Sequence, residues 1–429
     1  MKRLPAFCIA VCMLFAAAGL PAAEWTQFRG PGGLGKSSDT GLPVKWSATE
    51  NLAWRTALPG PGSSSPIVVK DKIYLTCYTG YGVSEEEPGD TADLVRHVVC
   101  LDRKTGKILW KKEFESEGRE SRYGGNGARH GYSSSTPTTD GEFLYVFFGK
   151  AGVFCLKLSD GSQVWRASVG ERINGWGSSN SPVLYKDLLI VNASIESNSL
   201  VALNKKTGKE EWKVGRISRS WGTPVLVKLP GGKEELVLSI PRRILGFDPS
   251  TGKELWTCTG IPDGYICPSV VAHDGVVYAI GGRRNTAVAV KAGGRGDVTE
   301  SHRLWSVRKG SNVCSPVFHD GRIYWVHDGR GTAYCLDAKT GGTVTETRLA
   351  PRPGRVYSSV TVADGKIYCL SQHRGTFVLA AGPKFELLAH NQFADDGSRA
   401  NACPVVSNGQ LLLRTDKYLY CVGKEAAGK

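Results

Sequence analysis

Short apolar runs separated by tight turns organise the chain, and the clearest example spans residues 314–342. One apolar run precedes Asp320-Gly321, the run Ile323–Val326 follows it, and Thr332–Leu336 follows Asp328-Gly329. The runs are rich in β-branched and aromatic residues, which favour strands. Asp and Gly tolerate the positive φ that a two-residue hairpin turn needs. A further turn then leads into a fourth run, so the pattern predicts a four-stranded antiparallel unit.

The unit recurs along the chain at a nearly constant period. Asp320, Asp364 and Asn408, which begin equivalent turns, are each 44 residues apart, and Asp274 precedes Asp320 by 46. A proline near the start of the first strand keeps the same register in most units. Eight units can be counted, and four-stranded repeats of this period are typical of propeller blades. The sequence therefore predicts an all-β fold, an eight-bladed β-propeller of four-stranded antiparallel blades.

The two ends of the repeat region complement each other. The last unit has only three predicted strands, and residues 51–58 have the pattern of an isolated fourth strand. Pairing the two would close the ring and remove an exposed edge. We therefore expect a propeller over residues 51–423. A lead-in over residues 24–50 should cross the outside of the ring, and residues 424–429 should form a short tail.

Residues 1–23 have the features of a secretory signal peptide. A basic pair, Lys2-Arg3, precedes an apolar run over residues 7–20, and small residues precede Glu24. The run is too short to favour a membrane span, and no later run reaches that length. We expect an exported protein, periplasmic or secreted, without a transmembrane segment.

Charge and cysteine usage narrow the function classes. The formal net charge of +14 at pH 7 favours anionic partners or surfaces, although a generally basic soluble protein has the same balance. Several of the cysteines occupy one repeat position before a leucine, which indicates small core residues. Cys258 and Cys267 flank one loop and could pair in an oxidising compartment. Cys-x-x-Cys motifs, which mark zinc ribbons and c-type haem, do not occur.

A tryptophan follows a Thr-Gly turn in several units. The turn at Thr105-Gly106 leads to Trp110, and turns with the same Thr-Gly-Lys spacing lead to two further tryptophans. The residues that we assign to this structural position are Trp54, Trp110, Trp165, Trp212, Trp256 and Trp305.

This motif resembles the repeat of pyrroloquinoline-quinone (PQQ)-type propellers. The opening Trp25…Phe28-Arg29-Gly30-Pro31 and the strand with Asn51-Leu52-Ala53-Trp54 are similar to exported bacterial members of the BamB type. The resemblance implies a propeller in which the tryptophan docks against the turn of the neighbouring blade. It is compatible with two functions, because the superfamily includes quinoprotein alcohol dehydrogenases and an outer-membrane assembly scaffold.

The enzymes of this superfamily place an adjacent Cys-Cys disulfide against PQQ, and they hold calcium with a Glu and an Asn beside a catalytic Asp. The chain has no Cys-Cys dipeptide, and no such ligand set maps onto it. We therefore assign no catalytic residue and no metal ligand. PQQ with calcium stays the cofactor of the alternative function only.

Topology sorts the loop residues by face. In a four-stranded meander, the loops between blades and the turns between the second and third strands lie on the same face. Here these segments repeatedly carry cations and aromatic residues. Arginine forks bind carboxylate, phosphate or sulfate, and aromatic planes stack on flat groups. The candidate ligand-binding residues are Arg129, Lys150, Arg172, Trp176, Arg219, Trp221, Arg243, Tyr265, Arg284, Arg308, Arg330, Arg355, Tyr357, Arg374 and Arg399. The alternative is that these cations are merely solvated.

The sequence favours an exported, non-catalytic binding or scaffold protein that uses this face for an anionic ligand or an envelope protein. We expect a monomer. The alternative is a divergent PQQ-dependent quinoprotein dehydrogenase with the quinone in the central funnel. Nucleic acid is not an expected partner, because no nucleic-acid motif occurs. Serine runs such as Ser63-Ser64-Ser65 precede the innermost strands, where small hydroxyl residues fit a crowded neck, so we interpret them as structural.

Overall fold

The computed structural model describes residues 24–116, 120–125 and 127–424. The predicted signal peptide, residues 1–23, and residues 425–429 of the predicted tail lie outside this part. The chain forms eight separate sheets, seven of four strands and one of five. The prediction of an all-β, eight-bladed propeller with four-stranded antiparallel blades is confirmed.

Each blade runs from an inner strand beside the axis to an outer strand, in chain order. Blade 1 consists of Ile67–Val69, Lys72–Thr79, Val95–Asp102 and Ile108–Glu115. Blade 2 consists of Thr138–Thr139, Phe143–Phe147, Val153–Lys157 and Gln163–Ala167. Blade 3 consists of Val183–Tyr185, Leu188–Ala193, Ser199–Asn204 and Glu210–Gly215. Blade 4 consists of Val225–Lys228, Glu234–Ile240, Arg243–Phe247 and Glu254–Thr259. A fifth strand, Gly296–Asp297, pairs in parallel with the outer strand of blade 4.

The second half of the ring repeats this order. Blade 5 consists of Val271–His273, Val276–Gly281, Thr286–Lys291 and Arg303–Val307. Blade 6 consists of Val317–His319, Arg322–Val326, Thr332–Asp337 and Thr343–Arg348. Blade 7 consists of Thr361–Ala363, Lys366–Leu370, Thr376–Ala380 and Leu387–Asn391. Blade 8 consists of Val405–Ser407, Gln410–Arg414, Tyr418–Val422 and, as its outer strand, Leu52–Ala57. The short helices are Pro31–Gly33, Thr91–Asp93, Gly127–Arg129, Gly149–Ala151 (all 3₁₀) and Thr299–His302 (α). Within the described ranges, no helix is long and apolar enough to cross a membrane.

The N-terminal strand closes the ring, as predicted. Leu52–Ala57 pairs antiparallel with Tyr418–Val422 as the outer strand of blade 8. Two buried arginines tie this blade to blade 1. Arg414 donates Nη1 to the carbonyl oxygen of Ser64 at 2.6 Å, and Arg103 donates Nη2 to that of Ser407 at 2.7 Å. The first and last parts of the propeller are therefore joined by a strand pair and by buried hydrogen bonds.

The core lies between neighbouring blades. One apolar cluster, for example, combines Val98 of blade 1 with Leu144 and Phe154 of blade 2. Middle strands are therefore buried on both faces, and such strands are apolar throughout rather than alternating. This explains why the sequence shows short continuous apolar runs.

In the six blades that have a tryptophan at this position, the indole faces a small residue of the neighbouring strand. Trp110 lies opposite Cys100, Trp165 opposite Cys155, and Trp54 opposite Cys421 in the strand register. The remaining three lie opposite Ala202, Gly246 and Ala289. A large indole needs a small partner in a close-packed sheet, and cysteine behaves as a small apolar residue.

Most of these indoles also lie on a glycine of the next blade. A β-carbon at Gly208 would come within 2.7 Å of the Trp165 ring, and Gly106, Gly161, Gly252 and Gly341 meet Trp54, Trp110, Trp212 and Trp305 in the same way. Trp165 donates its indole N–H to the carbonyl oxygen of Lys205 at 3.0 Å, just before that glycine. The turn glycine thus has two reasons to lack a side chain, its positive φ and the indole above it.

Trp256 is held differently, because blade 5 lacks the Thr-Gly turn. Its indole N–H donates to Oε2 of Glu235 at 2.7 Å, within the same blade. Glu235 is buried and also accepts hydrogen bonds from the backbone N–H of Gly293 and from Arg295 of blade 5. A buried carboxylate therefore replaces the missing turn carbonyl as the link between blades.

Residues 25–37 of the lead-in do not cross the outside of the ring, so that expectation is wrong for this stretch. Trp25 forms an antiparallel bridge with Val68, and Lys36 forms a parallel bridge with Val362, both on inner strands. Arg29, between them, donates to the carbonyl oxygen of Pro316 in blade 6. Residues 25–37 therefore span the axis and close the channel on the side of the turns between first and second strands. The apolar Trp25 is buried there, which is the physical reason for this path.

Of the ten cysteines of the described residues, Cys258 and Cys267 are both free thiols. The possible pairing of Cys258 with Cys267 is therefore wrong. Nine of the ten are buried, in agreement with their interpretation as small core residues.

Candidate functional site

A central cavity of about 360 Å³ opens on the face of the loops between blades. Every blade contributes to it. Its lining combines aromatic rings, three arginines, one carboxylate and a set of small hydroxyl residues. Phe28 of the lead-in also reaches it, and the lead-in closes the axis below.

A closed belt of eight hydrogen bonds forms the neck of this cavity. Each blade contributes one residue to this belt. The backbone N–H of that residue donates to the side chain of the belt residue of the next blade, at 2.9–3.0 Å where the acceptor is oxygen. Cys403 is the one sulfur acceptor, at 3.3 Å. The belt runs through Ser65, Thr136, Ser181, Thr223, Ser269, Ser315, Ser359 and Cys403 and returns to Ser65. The geometry matches the structural interpretation of the serine runs.

Three aromatic residues from consecutive inter-blade loops form one wall. The Trp176 and Trp221 ring centroids are 5.2 Å apart, and Tyr265 packs edge-on against Trp176 at 4.8 Å. Trp221 donates its indole N–H to the carbonyl oxygen of Gly177 at 2.8 Å, which fixes the loop that carries Trp176. This wall can hold a flat apolar group.

Cations flank the aromatic wall and face it from the other side. Arg283 donates Nε to the hydroxyl of Tyr265 at 3.1 Å. Across the cavity, Arg129 donates Nη1 to the hydroxyl of Tyr357 at 3.3 Å, and the Arg355 guanidinium lies 5.8 Å from the centroid of that ring. These guanidinium groups contact tyrosine hydroxyls and rings, so their charges stay available to an anion.

Two further lining residues limit the chemistry of the cavity. Asp328 is the one carboxylate among the lining residues, and its Oδ1 accepts hydrogen bonds from Ser311 Oγ at 3.0 Å and from the Asn312 N–H at 2.9 Å. Burial lowers the pKa of His130 to about 4, so this imidazole is neutral at physiological pH. Its Nδ1 lies 2.8 Å from Ser134 Oγ.

The structure brings six of the predicted ligand-binding residues together. They are Arg129, Trp176, Trp221, Tyr265, Arg355 and Tyr357. Arg399 lines an adjoining cavity of about 380 Å³ that shares Arg129 and Arg355 with the central one, but its charge is paired with Asp416 at 3.0 Å.

The other eight predicted residues lie elsewhere. Lys150 and Arg172 line a small pocket beside Glu120, whose carboxylate pairs with Arg96 at 2.9 Å. The remaining six are outside the lining of these cavities, and five of them are exposed. They are Arg219, Arg243, Arg284, Arg308, Arg330 and Arg374, of which Arg243 is half-buried.

Several lining residues were not predicted from the sequence. Arg283, not its neighbour Arg284, reaches the cavity, because its turn is fixed by Asp263, which accepts a hydrogen bond from the Arg283 N–H at 2.7 Å. Asp328 was interpreted only as a turn residue. Phe28 belongs to the lead-in motif, but nothing in its spacing placed that motif across the axis.

Comparisons with known proteins agree with the architecture. A family model described as outer membrane protein assembly factor BamB matches residues 94–306 and 243–400. The crystal structure of BamB from Moraxella catarrhalis superposes with a TM-score of 0.61 at 12% identity, over 88% of this chain and 98% of that one. Quinohemoprotein alcohol dehydrogenase from Comamonas testosteroni superposes with a TM-score of 0.67 at 11% identity, over 96% and 82% of the two chains. At these identities the superpositions show the fold alone.

A curated relative is similar over part of the chain. It is tetrathionate hydrolase of Acidithiobacillus ferrooxidans, 23% identical over 236 residues, which are 49% of this chain and 42% of the relative. The matched segment thus spans less than half the length of that relative. The match to the family model, by contrast, covers most of the propeller. The chain therefore belongs to the family of outer membrane protein assembly factor BamB, a family of PQQ-like β-propellers.

Proposed function

We propose that this protein is a binding protein that takes an organic anion with a flat body into its central cavity. The observation that carries the proposal is the pairing of a three-ring aromatic wall with Arg129, Arg283 and Arg355 around one opening. Convergent cations repel one another unless an anion lies between them. Asp328 offsets one charge only, and its Oδ1 already accepts two hydrogen bonds.

The size of the cavity supports a small molecule rather than a folded partner. Its volume of about 360 Å³ lies at the lower end of the range for small-molecule sites, roughly 300–1,000 Å³. A body stacked on Trp176 would place its anionic group toward Arg355 and Arg129. The hydroxyl belt below supplies further donors.

We propose that the function is exercised in the cell envelope and without catalysis. The signal-peptide pattern of residues 1–23 and the name of the family support export. The lining supplies no acid–base pair with an evident role, because a pKa of about 4 makes His130 a weak base and Asp328 Oδ1 already accepts two hydrogen bonds.

The residues present do not fit the alternative, a quinone held with calcium. Calcium takes six to eight oxygen ligands, including carboxylates. The lining of this cavity offers the single carboxylate of Asp328, and no group of three His, Cys, Asp or Glu side chains that could hold a metal ion occurs among the described residues. The cysteines nearby are separate free thiols.

Calorimetric titration with naphthalene-2-sulfonate, a flat aromatic anion, tests the proposal. We expect saturable binding to the unmodified protein. Replacing both Arg129 and Arg355 with Gln should weaken it about tenfold or more, since each hydrogen bond to a charged group contributes about 1.5–3 kcal/mol. Trp176→Ala should weaken it too.

The matched control is the double replacement of Arg308 and Arg374 with Gln. Both are exposed arginines of the same face outside the cavity lining, so their loss removes the same net charge. Equal weakening by the two double variants would reduce the site to general surface charge and would contradict the proposal.

A further inference from the structure

The neck of the cavity carries more donors than its own structure uses. Each belt side chain accepts a backbone N–H from the preceding blade, so its own O–H or S–H hydrogen is not needed for that bond. Six of the eight belt residues line the cavity. Hydroxyl groups donate as well as accept, so several can turn their hydrogens toward one point near the axis.

A buried cation lies beside this belt. Arg29 of the lead-in is 1% exposed, and its Nη2 donates to the carbonyl oxygen of Pro316, the residue after the belt member Ser315. The same guanidinium also lies against the lead-in backbone, because a β-carbon at Gly35 would come within 2.6 Å of Arg29 Nη2. Arg29 therefore lies beneath the belt, on the side that the lead-in closes, next to Phe28, which lines the cavity.

The charge of Arg29 is not neutralised by a carboxylate within the described ranges. No ion pair involves it there, and its Nε and Nη1 have no hydrogen-bond partner. Burial lowers its pKa to about 10, which still leaves the group protonated at neutral pH. A buried, unpaired charge is costly unless an opposite charge lies nearby.

We propose that the belt and Arg29 form an anion site on the propeller axis, at the floor of the cavity, for a halide or a small singly charged oxyanion. Belt hydroxyls supply the direct contacts, and the guanidinium supplies the charge. The ion enters from the cavity, because the lead-in closes the other side. This site does not depend on the arginines of the rim, so it stands apart from the proposed binding of an organic anion.

The chemistry could come from two sources, a free inorganic ion or the anionic head of the organic ligand. Titrating naphthalene-2-sulfonate in the presence of bromide separates them. Competition that Arg29→Met abolishes indicates that the head group uses the floor, and independent binding together with the bromide-dependent rise in melting temperature indicates a separate inorganic ion. Competition that persists in Arg29→Met places bromide at the rim arginines and contradicts a site at the floor.

Thermal unfolding in sodium bromide, with gluconate replacing it at constant ionic strength, tests the site. We expect a saturable rise in melting temperature, on the order of 2–4 °C, because an ion that binds only the folded state stabilises it. Arg29→Met should abolish the rise, and Arg29→Lys, which keeps the charge, should retain part of it. The rim variant with Arg129 and Arg355 replaced by Gln should keep the full rise, which separates this site from the organic-anion site.

A crystal of the unmodified protein soaked in bromide decides the matter if Arg29→Met does not fold. We expect an anomalous peak on the axis in contact with belt residues such as Thr223 and Ser315. The absence of that peak overturns the proposal. So does a peak without any saturable rise in melting temperature, because it would show binding at crystal concentration only.

Discussion

At the scale of single residues, size matching explains much of the cysteine usage. Cys100, Cys155 and Cys421 each lie across the sheet from a docking tryptophan, where other blades have alanine or glycine. The position requires a small residue and not a reactive thiol. Burial raises the pKa of Cys100 to about 11 and that of Cys155 to about 12, so neither is a thiolate at neutral pH.

Glu196 makes folding stability depend on pH. It is buried, Ser178 donates to its Oε1, and its Oε2 has no hydrogen-bond partner within the described ranges. Burial raises the pKa of this carboxyl from 4.5 to about 7. Between these values the folded state binds more protons than the unfolded state, so stability falls as pH rises. Relative to Glu196→Gln, the unmodified protein should lose on the order of 3 kcal/mol between pH 4.5 and pH 8.

Denaturant unfolding at several pH values checks this. Glu210→Gln, at an exposed position, is the control and should leave the pH dependence of the unmodified protein in place. If Glu196→Gln shows the same pH dependence as the unmodified protein, the carboxyl is not protonated in the folded state.

The sequence repeat does not determine which single residue of a turn reaches the axis. The repeat located the turn that holds Arg283 and Arg284, but not which of the two reaches the axis. That choice follows from the hydrogen bond between the Arg283 N–H and Asp263, a residue of the preceding loop. Periodicity carries no information about such a contact.

At the scale of elements, the Thr-Gly turn is a docking surface as well as a reversal of the chain. In blade 1, the Asp102 carboxylate accepts hydrogen bonds from the backbone N–H and the hydroxyl of Thr105, both at 2.7 Å. Gly106 follows at φ 71° beneath the Trp54 ring. The motif in the sequence is therefore the signature of one contact between blades.

A pair of glycines separates backbone strain from loss of this contact. Gly208 has φ 73° and lies against Trp165, whereas Gly321 has φ 71° and nothing within 4 Å of the place of a β-carbon. Gly321→Ala should cost about 1 kcal/mol of unfolding free energy from strain alone. Gly208→Ala should cost about 1–3 kcal/mol more, because the methyl group overpacks the indole.

Chemical denaturation of the two variants measures the difference. Equal losses of unfolding free energy in the two variants would mean that the Trp165 indole moves aside at no cost and that its close packing on Gly208 does not stabilise the fold. A larger loss for Gly208→Ala supports the turn as a packing device.

Elements with a repeat signature were predictable, and the lead-in was not. The blades follow from turns and apolar runs that recur about every 44 residues. Residues 25–37 occur once, so no period placed them. Their path depends on contacts with residues that are distant in sequence, such as the bridges of Trp25 with Val68 and of Lys36 with Val362.

At the scale of the whole molecule, ring closure joins the two ends of the propeller. The outer strand of blade 8 comes from Leu52–Ala57, and Arg414 and Arg103 bridge blades 8 and 1. A chain that begins at Leu58 should therefore melt at a lower temperature than one that begins at Glu24, because blade 8 loses its outer strand and exposes an edge. Calorimetry compares them.

A chain that begins at Trp46 is the control for loss of the lead-in. It keeps the outer strand but lacks residues 24–45, which include the channel closure over residues 25–37. If all three chains have the same melting temperature, neither the strand nor the lead-in stabilises the ring. A loss confined to the shortest chain assigns the stability to the strand pair.

The central claim is that the cavity of this propeller binds an anion because of its charge as well as its shape. The direct measurement compares naphthalene-2-sulfonate with its neutral analogue, naphthalene-2-sulfonamide, by calorimetric titration of the unmodified protein at fixed salt. We predict that the sulfonate binds in a 1:1 ratio and about tenfold or more tightly than the sulfonamide, in line with the strength of hydrogen bonds to charged groups. Equal affinities, or no binding of either compound, would contradict it.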